Sequence, residues 1–303
     1  MTTETRAAAV APLLVELLNH ASLEIAAGNE RAIAALHEQF DPGTEVFINF
    51  LPDGDYHVVG ETAVRVRRAG FNPVPHIVAR SIADRPALAD FLSHLAGEAG
   101  VERVLLVAGD RPRPAGAFAS TMDVLATGLL QGQSIKAVGV AGHPEGHPTI
   151  GGAAIDAALM AKRDAVAKAG LDLFIVTQFA FEAQPILDWL ARTRLAGIDA
   201  PIRIGVAGPA TVATLVKFGM RCGIGNSLRA VRMRTNTVGR LLGNSGPEDL
   251  LADLAAGLAA KPDDRVAGIH FFPFGGIAQT SDFVARTLSQ LYRDIAPAGA
   301  VKA

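Results

Sequence analysis

Eight short runs rich in valine, isoleucine and phenylalanine, at 22–26, 45–50, 73–79, 103–110, 137–142, 173–178, 201–208 and 266–274, constrain this chain more than any other feature. Between them lie segments of helical periodicity. Ala87, Phe91, Leu92 and Leu95 share one face of such a segment, and Ile186, Trp189 and Leu190 share one face of another. Runs that are apolar on both faces and joined through helices predict parallel strands linked by crossovers, because a solvated sheet face would alternate with polar residues. Eight β-then-α units are the number that closes a barrel. The pattern predicts an α/β fold, a single (β/α)8 TIM barrel with extra helices at 212–221 and 247–260 before the last strand. An open doubly wound sheet would use the same local pattern with fewer strands.

No Gly/Ser-rich or Pro-rich linker divides the 303 residues, so residues 1–303 are expected to form one catalytic barrel domain. Half of the chain is apolar and 19% is charged, enough to build a large core and unlike a disordered chain. The net charge of −2, with both signs scattered, leaves no basic footprint for nucleic acid. Cys222 is the only cysteine, which excludes an intrachain disulfide and any cysteine-cluster metal site; it reads as a small core residue. The N-terminal segment lacks a basic leader, and Glu16, Asn19 and His20 interrupt its apolar positions. No uninterrupted apolar stretch reaches the ~20 residues needed to span a bilayer. A cytoplasmic protein with no membrane partner is expected. The arginine-bearing stretch 225–246 reads as a solvated helix face or a contact in a homo-oligomer, with anion binding as the alternative, and the tail 296–303 as frayed.

In a barrel of this kind the site lies at the C-terminal ends of the strands. That rule selects Glu24, Asn49, His76, Asp110, His143, Glu145, His147 and Gln178. Glu24 sits between apolar neighbours, where an ionised carboxylate is costly unless it is paired or takes up a proton, and a raised pKa would suit a general acid. The alternative is a frayed strand with Glu24 facing water. Asp110 is either a ligand anchor or the N-cap of the next helix; Pro112 and Pro114 place that helix further on and favour the anchor. Gln178 can both donate to and accept from the edge of a heterocycle. His143 and His147 have a metal-like i, i+4 spacing around Glu145, but Pro144 and Pro148 oppose the helix that would align them, so no metal is expected. Loop histidines bonded to backbone carbonyls are the plainer reading. The chain has no GxGxxG after a strand, no Walker loop and no GxSxG.

Taken in order, these motifs resemble the methylenetetrahydrofolate reductase family over nearly the whole chain. SLEIA with Glu24 is similar to the family's opening Ser-Phe-Glu-Phe strand, PHIVA with His76 to its Ala-His-Leu-Thr strand, and VAGD with Asp110 to its Arg-Gly-Asp strand end. GHPEGHP is similar to its Tyr-Pro-Glu-x-His-Pro segment, IVTQFAFE to its Ile-Thr-Gln-Phe-Phe-Phe-Asp strand, and GIHFF to its final Val-His-Phe-Tyr strand. The resemblance implies reduction of 5,10-methylenetetrahydrofolate to 5-methyltetrahydrofolate, with hydride from NAD(P)H passing through bound FAD. It implies Glu24 and Asp110 as catalytic groups, with Asp110, Gln178 and Phe179 on the substrate. His76, Gly109, His143, Glu145, His147, Asp156, Lys162 and Arg163 would line the flavin. The departures fall on the flavin side: Ala108 stands where the family has arginine, His143 where it has tyrosine, and NFLPDGD (49–55) replaces a Thr-Tyr-Gly-Ala-Gly-like loop. Val212 stands at the place of a ligand-stacking aromatic residue. Direct hydride transfer from NADH without flavin is the alternative, and a folate-dependent methyltransferase-type barrel is a third.

Overall fold

In the computed structural model, which describes residues 3–51, 54–221, 244–263 and 265–295, the eight apolar runs are eight barrel strands. They are β1 (Ser22–Ala26), β2 (Glu45–Asn49), β3 (Asn72–Val78), β4 (Arg103–Val107), β5 (Ala137–Gly142), β6 (Asp172–Thr177), β7 (Ile202–Ala207) and, after the two-residue strands β8 (Ala210–Thr211) and β9 (Asn244–Ser245), β10 (Val266–Phe272). The long strands close a barrel in the order β1-β10-β7-β6-β5-β4-β3-β2, while β8 and β9 pair antiparallel by themselves. The fold is therefore an α/β (β/α)8 barrel.

The helices are α1 (Thr3–Asn19), α2 (Glu30–Gln39), α3 (Tyr56–Arg68), α4 (Arg85–Gly97), α5 (Thr121–Ala126), α6 (Gly152–Lys168), α7 (Ala183–Leu195), α8 (Val212–Arg221), α9 (Glu248–Ala260) and α10 (Ile277–Ile295). The expected helices before the last strand are α8 and α9. Cys222 and most of the arginine-bearing stretch lie outside the described residues. Helix starts follow their capping residues. Asn29 accepts from the Ala32 N–H, Asp84 from the Ala87 N–H, and Ser120 with Asp123 forms a capping box that opens α5.

The chain divides into two compact units. One, residues 22–142 and 150–177, carries β1 to β6 in parallel register, with Glu24 opposite Phe47, Phe47 opposite Val74, and His76 opposite Leu105. Its interior is a cluster of Phe47, Val74, Leu105, Ala137, Phe174 and Val176. The Phe174 ring lies directly over Gly139, where a Cβ would overlap it. Below it the Arg103 guanidinium stands 4.3 Å from the ring centroid and is paired with Glu45 at 2.8 Å. The other unit, residues 1–21, 143–149 and 178–303, contains β7 and β10 in parallel, with α1 packed on α9 and α10. Its aromatic cluster joins Phe179, Phe181, Phe272 and Phe274, with Phe218 stacked on Phe274 at 4.1 Å between centroids.

Candidate functional site

In β1 the side chains of Leu23 and Ile25 are buried, and the twofold period of a strand turns Glu24 to the opposite face. Its side chain is 16% exposed, so Glu24 does not face water from a frayed strand. Two neighbouring strands supply its partners. Asn49, last residue of β2, donates from Nδ2 to Glu24 Oε1 at 2.9 Å, and His76 of β3 brings Nε2 to 3.5 Å from Oε2. The imidazole rests edge-on against Phe47, with centroids 6.4 Å apart. Asn49 Oδ1 is buried and has no hydrogen-bond partner among the described residues. A carboxyl group held between an amide N–H and an imidazole can carry or release a proton without turning away from its partners.

The β3 strand that supplies His76 is fastened by a residue the sequence did not single out. Tyr56 opens α3, and its hydroxyl donates to the Val78 carbonyl at 2.7 Å while accepting from the Val78 N–H at 3.0 Å. Phe50 and Phe91 flank its ring at 4.5 and 4.6 Å, and burial pushes the phenol well above its ordinary pKa. Above Val78 the chain turns out of β4 at Gly109, whose φ of +89° and close approach to Val78 exclude a side chain. This is why β4 ends at Val107 rather than continuing to 110. Asp110 follows on an exposed loop, with no hydrogen bond or ion pair among the described residues. Because Ser120 caps α5, Asp110 is not that helix's N-cap.

On α6, Lys162 shares a face with the buried Leu159 and Val166, by the i, i+3 and i, i+4 spacing of a helix. Burial lowers its pKa, and no anion pairs with it among the described residues. Arg163 is paired with the adjacent Asp164 at 2.7 Å, and Asp156 is exposed. Gly151, which caps α6, provides no side-chain acceptor.

In the other unit, the segment after β5 turns tightly at Gly146, with φ of +84°. His143 and His147 meet edge-on at 5.5 Å and 90°, and His147 Nδ1 accepts from the Thr149 N–H at 3.3 Å. Glu145 is half-buried. Gln178 follows β6 and folds its Oε1 back onto the Phe179 N–H at 3.1 Å. Phe179 is 1% exposed, enclosed by Phe181, Phe272 and Phe274. Val212 is likewise buried.

The structure thus brings Glu24, Asn49 and His76 into contact and places Asp110 and Lys162 in the same unit, each without a charged partner among the described residues. Asn49 belongs to the strand-end set in sequence, but its bond to Glu24 depends on the stagger between β1 and β2. Fold and residues define a (β/α)8 barrel protein with a part-buried acid on its first strand.

The sequence profile described as methylenetetrahydrofolate reductase matches residues 60–224, more than half of the chain. The chain belongs to the methylenetetrahydrofolate reductase family. Methylenetetrahydrofolate reductase 2 of Saccharomyces cerevisiae is 30% identical over 125 residues, which is 39% of this chain and 20% of the yeast protein. The match therefore spans about a fifth of that curated relative's length. Among solved structures, the dihydropteroate synthase (FolP) of Thermus thermophilus aligns with a TM-score of 0.47 and 13% identity, covering 88% of this chain and 92% of that one.

Proposed function

We propose that residues 1–303 act as one cytoplasmic catalytic barrel that reduces 5,10-methylenetetrahydrofolate to 5-methyltetrahydrofolate with hydride from NAD(P)H. The observation that carries this reading is Glu24, enclosed with Asn49 and His76 in a family whose reaction needs a proton donor. In the protonated form, Glu24 delivers its proton to the folate nitrogen that leaves the one-carbon unit as the five-membered ring opens. The product of that step is an iminium cation, and the exposed carboxylate of Asp110 stabilises it by charge. Hydride addition to the iminium carbon gives the methyl group and leaves the nicotinamide oxidised. Gln178 takes the edge of the substrate, and Phe179 backs it.

A dinucleotide brings a pyrophosphate, and Lys162 suits one: it is a half-buried ammonium with no anion beside it among the described residues. Lys162, with His76, Gly109, His143, Glu145, His147, Asp156 and Arg163, would hold FAD, which when bound relays hydride from NAD(P)H to the one-carbon unit. Two observations favour the second reading, direct transfer from NADH: Ala108 offers no charge at its exposed position, and Arg163 is already engaged by Asp164. Lys162 would then meet the pyrophosphate of NADH itself.

The test is nicotinamide oxidation by the purified protein with and without 5,10-methylenetetrahydrofolate. Oxidation that requires the folate and yields 5-methyltetrahydrofolate is expected; oxidation indifferent to folate overturns the reading. A flavin band that survives gel filtration identifies the relay, and a colourless, active protein identifies direct transfer.

A further inference from the structure

We propose that Arg80 is a positioning residue of this site, fastening the loop that presents Asp110. The inference rests on the reductase reading above, in which Asp110 meets the folate. Arg80 lies in the 3-10 turn (Ala79–Ser81) that follows β3, and no acidic side chain pairs with it among the described residues. All of its guanidinium nitrogens are spent on backbone carbonyls of one loop. Nε donates to Arg111 O at 2.6 Å, Nη2 to Pro112 O at 2.8 Å and Nη1 to Ala119 O at 3.0 Å. Its own peptide group adds two more bonds: its N–H donates to Ala108 O at 3.0 Å, and its carbonyl accepts from the Ala115 N–H at 2.9 Å.

The loop needs this support. From 108 to 119 it has neither helix nor strand, and Pro112 and Pro114 carry no N–H. Gly116 lies so close to the Ala83 carbonyl that no side chain would fit there. A planar fork of donors can hold three carbonyls at once, whereas an ammonium is a single point of attachment. The arrangement leaves Asp110 without a partner among the described residues while its flanking backbone is held at Ala108 and Arg111. An acidic group presented in that way meets a cation without first leaving another partner, and a displacement of about 1 Å would cost on the order of a hundredfold in rate.

The test compares Arg80→Ala, Arg80→Lys, Asp110→Asn and the Arg80→Ala/Asp110→Asn double variant. Their kcat and KM for each substrate would be measured, with hydrogen exchange over residues 108–119. Arg80→Ala is expected to lose about ten- to a hundredfold in kcat/KM for the folate, with the nicotinamide KM unchanged, and to lose protection of the loop amides. Arg80→Lys should recover little, and it serves in place of the alanine variant if that one fails to fold. In the Asp110→Asn background the loss should disappear, because a residue acting through Asp110 has nothing left to position. A loss that persists in full in the double variant, an equal change in the nicotinamide KM, or unchanged loop exchange would overturn the proposal. A wild-type protein without folate-dependent nicotinamide oxidation would instead overturn the reductase reading, while loop exchange would still report whether Arg80 fastens the loop.

Discussion

Replacing Gly139 with alanine tests the barrel interior. The new methyl would overlap Cε2 and Cζ of Phe174 and stand 3.0 Å from Leu105 Cδ1, where carbon contacts settle at about 3.5–4.0 Å. The ring must therefore retreat by roughly 1 Å. It is confined on several sides: Arg103 lies 4.3 Å from its centroid, and Phe47 meets it edge-on at 6.3 Å. Overpacking of this kind costs about 1–3 kcal/mol, offset by ~0.4–1 kcal/mol because alanine restricts the unfolded chain. The net loss, about 1–2 kcal/mol, should lower Tm by roughly 2–6 °C in a chain of this size. Thermal and urea unfolding read it. Gly97→Ala provides the control, because that helical glycine has nothing within 4 Å of the added carbon and should gain about 0.5–1 kcal/mol. Trimming the ring with Phe174→Leu should relieve the strain, so the double variant should depart from additivity by at least about 0.5 kcal/mol. Gly139→Ala as stable as wild type, or strictly additive with Phe174→Leu, refutes the reasoning.

Glu24→Gln should keep the fold and folate binding but lose about 10²–10⁴-fold in turnover, measured at saturating folate; unchanged turnover removes Glu24 as the acid. Burial lowers the Lys162 pKa from 10.5, so the unfolded chain binds that proton more tightly, and stability rises with pH between the folded value and 10.5. Ligand-free Lys162→Met should therefore melt above wild type at neutral pH, with the gap closing as the pH approaches 10.5, and should bind its dinucleotide at least tenfold more weakly; a lower Tm at neutral pH counts against the assignment. Tyr56→Phe leaves both polar groups of Val78 without their side-chain partner, which should cost about 1–3 kcal/mol by urea unfolding and speed hydrogen exchange at Val78. A wild-type midpoint in that variant would mean that strand pairing alone holds the end of β3.

The strands were legible because a parallel barrel buries both faces of each one, so β3 and β5 read as nearly continuous apolar runs. Their ends were less so. The run at 103–110 stops as a strand at Val107, because the conformation at Gly109 answers to Val78, which is distant in sequence. Glu24 could be singled out from the strand pattern, since a barrel strand buries both faces and a carboxylate there is costly unless it is paired. Its partners could not, because the stagger of adjacent strands decides which side chains meet. Arg80 looks in sequence like any surface arginine; its acceptors are main-chain carbonyls more than thirty positions away, and carbonyls leave no mark in a sequence. Gly139 lies within the apolar run 137–142, but that its missing side chain makes room for Phe174 depends on a ring thirty-five positions away.

Glu24, Asn49 and His76 belong to three successive strands, so the acid and both of its partners occupy one continuous early stretch of the chain. During synthesis they are all available to one another as soon as His76 has left the ribosome, long before Phe272 and Phe274 can join Phe179. The group most expensive to enclose alone is thus the one whose partners arrive first. A nascent chain that begins to collapse around Phe47 need not hold a lone carboxylate in its interior while it waits for the remaining strands.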